Sequence, residues 1–66
     1  MRATLERTVF TVVRDGDAWA VELAGALSDR APDKEVVKAF AHKRARLIID
    51  GGGAAQVRVQ GEGVYR

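Results

Sequence analysis

Alternating apolar and polar positions predict a β-hairpin in the first third of the chain. Residues 7–14 are rich in β-branched and aromatic side chains, and residues 18–23 alternate between large apolar and small or charged ones, as in a strand with one buried face. The Asp-Gly-Asp sequence at 15–17 supplies a short turn, because glycine adopts a positive φ without cost. One face of this hairpin is expected to carry Phe10, Val12, Trp19, Val21 and Leu23, and the other Val9, Val13 and Ala20.

The middle of the chain has the spacing of an amphipathic helix. Small and polar residues at 25–31 are interpreted as a connection, and the helix is expected to begin at Pro32 and Asp33. Asp33 can act as the N-cap, or it can lie in the first turn with Glu35, where carboxylates suit the positive end of the helix dipole. Val36, Val37, Phe40 and Ala41 recur at helical spacing; the two valines and Phe40 are expected to pack on the sheet, opposite Glu35, Lys38, His42 and Arg46.

The apolar triplet at 47–49 can end this helix or begin a new strand. Arg44 would fall inside the apolar arc of a helix that continued through the triplet, which favours a helix end near Lys43 or Arg44. Cations there also suit the negative end of the helix dipole. Three glycines follow at 51–53, and such a run is typical either of a hairpin turn or of a helix C-terminus.

Strict alternation over residues 54–60 predicts a strand, with Val57 and Val59 facing inward. This strand favours a second hairpin, formed by residues 46–50 and 54–60 around the glycines, while a helix that ends at the glycines stays open as the alternative. With the hairpin, the predicted fold class is α+β, of order β-β-α-β-β, with an antiparallel sheet and one helix packed on one of its faces.

Length and composition limit the chain to one small domain. Its 66 residues are expected to form a loose N-terminal arm at 1–6, a single α+β domain at 7–60 and a short C-terminal tail at 61–66. No cysteine is present, so neither a disulfide nor a cysteine-based zinc site is expected. No apolar run approaches the roughly 20 residues of a membrane span, and no signal peptide is evident. We therefore expect a cytoplasmic protein that does not bind membranes.

Charge is distributed unevenly along the chain. Residues 1–33 have four Lys or Arg against six Asp or Glu, a net −2, whereas residues 34–66 have seven against three, a net +4. The basic excess follows the start of the helix, which points to a local basic surface rather than a uniformly basic protein.

The side chains offer little for catalysis. His42 is the only histidine and Ser28 the only serine, so a nucleophile–base pair would require these two residues to meet. Asp15 and Asp17 flank a turn glycine, and turn geometry accounts for both. The glycines at 51–53 precede a strand rather than the helix that a phosphate-binding loop feeds. We therefore expect no enzymatic activity, no cofactor, no metal and no small-molecule substrate.

The order of these features resembles a bacterial family catalogued as domain of unknown function 2188. The resemblance rests on the first strand with its Asp-Gly turn, on Trp19-Ala20-Val21, on the helix, and on the stretch 43–51 followed by an alternating strand. It covers roughly residues 8–60. Two features depart from the family pattern: Gly52-Gly53-Ala54 replaces an Asp-Gly turn, and Val64-Tyr65-Arg66 matches a Ser-Tyr-Gly tail only loosely. The resemblance implies a fold and a bacterial origin but no activity.

Two hypotheses for function follow from the pattern. The first is a non-enzymatic structural or protein-interaction module that associates as a homodimer or docks on a protein partner, because one sheet face would leave apolar residues towards water. Its predicted self-association residues are Val9, Val13, Ala20 and Ile48. The alternative is a nucleic-acid-binding accessory protein that contacts phosphates through the basic helix and the corner after it. Its predicted contact residues are Lys38, Lys43, Arg44, Arg46 and Arg58.

Overall fold

The computed structural model describes residues 7–61 and the backbone of residues 63–64, and its fold class is α+β. One helix packs on one face of a mixed sheet with the strand order β3-β2-β1-β4-β5. The elements are β1 (Arg7–Asp15), β2 (Ala18–Leu23), β3 (Ala26–Ala31), α1 (Lys34–Asp50), β4 (Ala54–Val59) and β5 (Gly63–Val64). The predicted arm at 1–6 lies outside the described residues; of the predicted tail at 61–66, Gly61 lies in a turn and β5 pairs with β4.

The first hairpin is confirmed. β1 and β2 pair antiparallel, with Val12 opposite Val21 and Asp15 opposite Ala18. Gly16 in the turn has φ +64°, which is the left-handed conformation that glycine accepts at little cost. Local alternation and turn chemistry are therefore sufficient to form this part of the fold.

Residues 25–31, expected to form a connection, instead contribute the third strand. β3 pairs antiparallel with β2 along the sheet edge. The turn between them has positive φ at both Ala24 (52°) and Gly25 (87°), as in a tight two-residue hairpin. β3 is exposed along nearly its whole length, so it has no buried face to impose an apolar alternation on its sequence.

The helix begins as predicted and ends later than predicted. Asp33 is the N-cap: its φ of −100° is extended, and its side chain accepts a hydrogen bond of 2.9 Å from the Glu35 N–H. The helix does not end near Lys43 but continues to Asp50. The triplet at 47–49 is therefore the last turn of α1, and the hairpin predicted for residues 46–60 is wrong.

The three glycines close the helix with a hydrogen-bonded cap. The Gly52 N–H donates to the Ile49 carbonyl at 3.0 Å, and the Gly53 N–H donates to the Ile48 carbonyl at 2.9 Å, the pair of bonds that defines a Schellman motif. Gly52 occupies the left-handed position with φ +94°. Gly53 lies so close to the helix that an added Cβ would be 2.8 Å from Ile48 Cγ2.

β4 pairs parallel with β1, with Phe10 opposite Val57 and Val12 opposite Val59, so the prediction of a purely antiparallel sheet is wrong. The reason is topological. Three antiparallel strands precede the helix, so β3 runs in the direction of β1, and α1 returns the chain to the end where β1 starts. β4 must then run parallel to β1.

The core lies between α1 and one face of the sheet. Phe10 and Val12 of β1 face the helix, and the inward positions predicted for β4 are buried as expected. Val37 is fully buried, whereas Val36 and Phe40, which were expected to pack on the sheet, are about two-fifths exposed. The buried cluster comprises Phe10, Val12, Val21, Val37, Ala41, Ala45, Val57 and Val59.

Trp19 packs against the edge of this core rather than inside it. Its ring is half-buried, and two cations approach it: Lys34 Nζ lies 5.1 Å and Arg14 Cζ 5.5 Å from the ring centroid. Such contacts contribute about 0.5–1 kcal/mol each at exposed sites. Within the part of the chain that the structure describes, no helix is long and apolar enough to cross a lipid bilayer.

Candidate interaction surfaces

The face of the sheet that points away from α1 is not covered by any described element. Val9, Thr11 and Val13 lie on this open face, because they alternate with the buried Phe10 and Val12 along β1. Val9 and Val13 are half-buried, and Ala20, which pairs with Val13, has no exposed surface. Three of the four residues predicted for self-association therefore share the open face.

Ile48, the fourth residue of that prediction, lies elsewhere. It belongs to the last turn of α1 and packs against the core from the helix side of the sheet. It was placed on the open face because residues 47–49 were expected to be a strand. Its side chain instead packs against the core and lies close to the backbone of Gly53.

Opposite charges lie on the two sides of the open face. Thr11 of β1 pairs with Glu22 of β2 and with Arg58 of β4, so the three side chains form one row across the sheet. Because neighbouring strands lie about 4.8 Å apart, the Cα atoms of Glu22 and Arg58 are separated by roughly 10 Å. Asp15 and Arg30 form an ion pair of 2.9 Å. Around Thr11, the open face is therefore apolar along β1, with a carboxylate on its β2 side and a guanidinium on its β4 side.

The basic residues predicted to contact nucleic acid do not form one surface. Arg44 is engaged by β3: its Nη1 donates to Ser28 Oγ at 2.9 Å and to Asp29 Oδ2 at 2.8 Å, and its guanidinium carbon lies 5.2 Å from the centroid of the Phe10 ring. Lys38 is largely covered and forms an ion pair of 3.5 Å with Glu35. Both cations are engaged within the fold.

The remaining three predicted contacts lie on two sides of the molecule. Lys43 and Arg46 are exposed on α1, with Arg46 beside the space between α1 and β4. Arg58 lies on the open face of the sheet, on the other side of the molecule from the helix. A single duplex backbone could not contact all three at once.

A cleft lies between the second half of α1 and β4. Its volume is about 870 Å³, which is within the range of small-molecule sites. Three of its ten lining residues are alanines, two are arginines, and Ile49 contributes an exposed apolar side chain. Its lining residues are Arg7, His42, Ala45, Arg46, Ile49, Asp50, Ala54, Ala55, Gln56 and Val57.

The structure does not assemble the candidate catalytic residues. Ser28 accepts the hydrogen bond from Arg44 on the β3 side of the helix, whereas His42 lines the cleft on the β4 side. Asp15 is held by Arg30, in keeping with a structural role beside the turn. Among residues 7–61, no group of three or more His, Asp or Glu side chains is placed to hold a metal ion.

Several residues of these surfaces were not singled out from the sequence. Glu22 and Thr11 acquire their relation to Arg58 only through the pairing of β1 with both neighbours. Arg7 and Ile49 meet at the cleft although they are far apart in the chain. The one usable signal is the alternation of residues 18–23, which puts Glu22 on the same face as Ala20.

The comparisons with known proteins add no assignment: no family model, no curated protein and no solved structure matches this chain. The resemblance to the domain of unknown function 2188 family stays a prediction.

Proposed function

We propose that this protein is a small, non-enzymatic interaction module that forms a homodimer by stacking the open faces of two sheets. The observation that carries the proposal is the open face itself, which has an apolar centre between a carboxylate and a guanidinium. Val9 and Val13 lie there beside Thr11, on a layer that no described element covers. Burying such a face against a second copy removes apolar surface from water, which favours association.

Charge complementarity selects the arrangement of the two copies. If the two-fold axis runs parallel to the strands, each Glu22 lies opposite Arg58 of the second copy, because the axis exchanges the two sides of the sheet. If the axis runs across the strands, Glu22 faces Glu22. Like charges opposed across an interface cost several kcal/mol. The first arrangement is therefore the one that we propose.

The size of the face sets the expected strength of association. Four strands of about six residues give a planar footprint of roughly 400 Å² per copy at ordinary strand dimensions. This is about half of the roughly 800 Å² per partner that a standard specific interface buries, and it is typical of weak, transient contacts. We therefore expect a reversible dimer with a micromolar dissociation constant rather than an obligate one.

Sedimentation equilibrium at micromolar concentrations tests the proposal. The unmodified protein is expected to exist as monomer and dimer in exchange. Thr11→Arg puts a bulky charged side chain at the centre of the face, where a second copy would have to pack, and we expect it to leave only monomer. The matched control is Ala39→Arg, which adds the same charge on the exposed side of α1 and should leave the dimer intact.

Two outcomes of this experiment would contradict the homodimer. A monomer at every concentration would overturn the homodimer. Equal loss of dimer in both variants would place the contact on the helix or show a general effect of charge.

Nucleic-acid binding is the less supported alternative, because Arg44 and Lys38 are held within the fold and the other cations are dispersed. We expect a gel-shift assay with duplex DNA, at micromolar protein and about 50 mM salt, to give no retardation. Retardation that Lys43→Gln and Arg46→Gln together abolish would favour the alternative instead. The resemblance to the domain of unknown function 2188 family implies no activity. It therefore enters the main proposal only as an expectation about the fold.

A further inference from the structure

The cleft between α1 and β4 has the shape of a site for a small molecule. Its volume of about 870 Å³ compares with roughly 300–1,000 Å³ for such sites. The space exists because Ala45 of the helix and Ala54 and Ala55 of the strand have short side chains where the two elements diverge. The cleft runs along β4 beside the second half of α1, and its lining also includes Arg7 and Gln56, which by alternation belong to the open-face side of β1 and β4.

One wall of the cleft is apolar and accessible. Ile49 retains about half of its surface exposed, while Ala55 and Val57 belong to or pack against the core beside it. A large aliphatic side chain in a concave site gains favourable free energy when an apolar group covers it. These apolar side chains therefore suit the hydrocarbon chain or ring of a ligand.

The margin of the cleft is cationic. Arg7 Nη1 donates to Gln56 Oε1 at 3.0 Å, which holds the guanidinium in place without neutralising its charge. Neither Arg7 nor Arg46 forms an ion pair with a carboxylate of the described residues. Their two positive charges against the one negative charge of Asp50 leave the lining at +1. A guanidinium has five N–H donors in a planar fork that fits an oxyanion.

We propose that this cleft binds a small organic anion, with its apolar body against Ile49 and Val57 and its carboxylate or phosphate at Arg7 and Arg46. The apolar wall and the cations lie in one concavity, which is the arrangement that an amphipathic anion requires. Neither the apolar wall nor the cations alone would be selective, because an apolar wall accepts any hydrocarbon and an exposed arginine accepts any anion. The sequence predicted no small-molecule ligand, so this inference reverses that expectation.

The anionic dye anilinonaphthalene sulfonate, which has an aromatic body and one sulfonate, is a direct probe. Titration of the full chain is expected to give a saturable rise in fluorescence with one dye per chain. Arg46→Gln removes one charge-assisted contact and should weaken dye binding about tenfold. Ile49→Ser should weaken it comparably, because the apolar wall is removed. Thermal unfolding of each variant confirms that the fold is retained.

Two matched controls place the dye in this cleft. Lys43→Gln removes an exposed cation of the same helix, and Leu47→Ser removes an exposed aliphatic side chain of that helix; neither residue lines the cleft. Both should bind the dye as the unmodified protein does. Absence of saturable binding, or equal weakening in the controls and the cleft variants, would overturn the proposal.

Competition distinguishes the two chemical sources of the anion. Displacement of the dye by octanoate identifies an aliphatic carboxylate, and displacement by adenosine monophosphate identifies a phosphate with an aromatic body. Each outcome supports the site and names its ligand class. If neither compound displaces the dye at millimolar concentration, the proposed ligand class is wrong.

Discussion

Replacement of Gly53 by alanine is expected to lower the free energy of unfolding by about 1–3 kcal/mol, the usual cost of forcing extra atoms into a packed site. The added Cβ would meet Ile48 Cγ2 at 2.8 Å and the Ile48 carbonyl oxygen at 3.3 Å. Neither neighbour can move freely. Ile48 is β-branched and stiff at χ1 in a helix, and its carbonyl accepts the Gly53 N–H that closes the helix.

The two preceding glycines supply graded controls for this prediction. Gly52→Ala is expected to cost about 1–2 kcal/mol, because a side chain at φ +94° is strained although the space around it is open. Gly51→Ala is expected to be nearly neutral, since its φ is −86° and an added Cβ would make only ordinary contacts. Urea denaturation measures the three differences directly.

The order of the three effects tests how the chain leaves the helix. For a domain of this size, 1 kcal/mol shifts the melting temperature by roughly 4–8 °C, so the series is resolvable. In a hairpin around residues 51–53, Ile48 would not be held against Gly53. Equal and small effects at Gly51 and Gly53 would therefore contradict the helix cap.

The hairpin of β1 and β2 could be predicted because every determinant of it is local. Alternation selects the two faces, and Asp15-Gly16-Asp17 supplies the turn between adjacent segments. The N-cap at Asp33 is local in the same sense, since its side chain binds the N–H two residues later. These parts of the fold require no knowledge of distant residues.

The helix end could not be predicted because it depends on β3. Arg44 lies in the apolar arc of α1, and from the sequence that position argues against a helix. In the structure Ser28 and Asp29 of β3 accept hydrogen bonds from its guanidinium. The missed strand and the shortened helix are therefore one error: without β3, Arg44 has no partner, and a helix through Arg44 is disfavoured.

The same strand determines the direction of β4. With two strands before the helix, the first strand after it would run antiparallel to β1; with three, it runs parallel. β3 gives little sequence signal because it is short of β-branched residues and exposed at the sheet edge. Backbone pairing with β2, rather than side-chain burial, holds it in place.

The candidate surfaces were predictable only in part, for a related reason. Val9 and Val13 follow from alternation within β1, so their place on the open face was expected. The cleft depends on short side chains that come together from α1 and β4, and an alanine in the sequence does not indicate whether the space beside it is filled. Non-local pairing likewise creates the row of Glu22, Thr11 and Arg58.

That row leads to the prediction with the largest effect on association. Arg58→Glu is expected to weaken the dimer roughly a hundredfold or more, because each new carboxylate would face Glu22 of the second copy and like charges cost several kcal/mol. Because the dimer is two-fold symmetric, this unfavourable contact occurs twice. Glu22→Arg is expected to act in the same way, by opposing two guanidinium groups. Sedimentation equilibrium at several concentrations measures the dissociation constants.

Combining the two substitutions decides between the possible arrangements. The double variant, Glu22→Arg with Arg58→Glu, restores opposite charges only where residue 22 of one copy faces residue 58 of the other, so most of the lost affinity should return. Lys43→Glu makes the same change of charge on the exposed side of α1 and should not affect the dimer. A double variant as weak as either single variant would rule out an axis parallel to the strands, because that axis alone brings the two charges together.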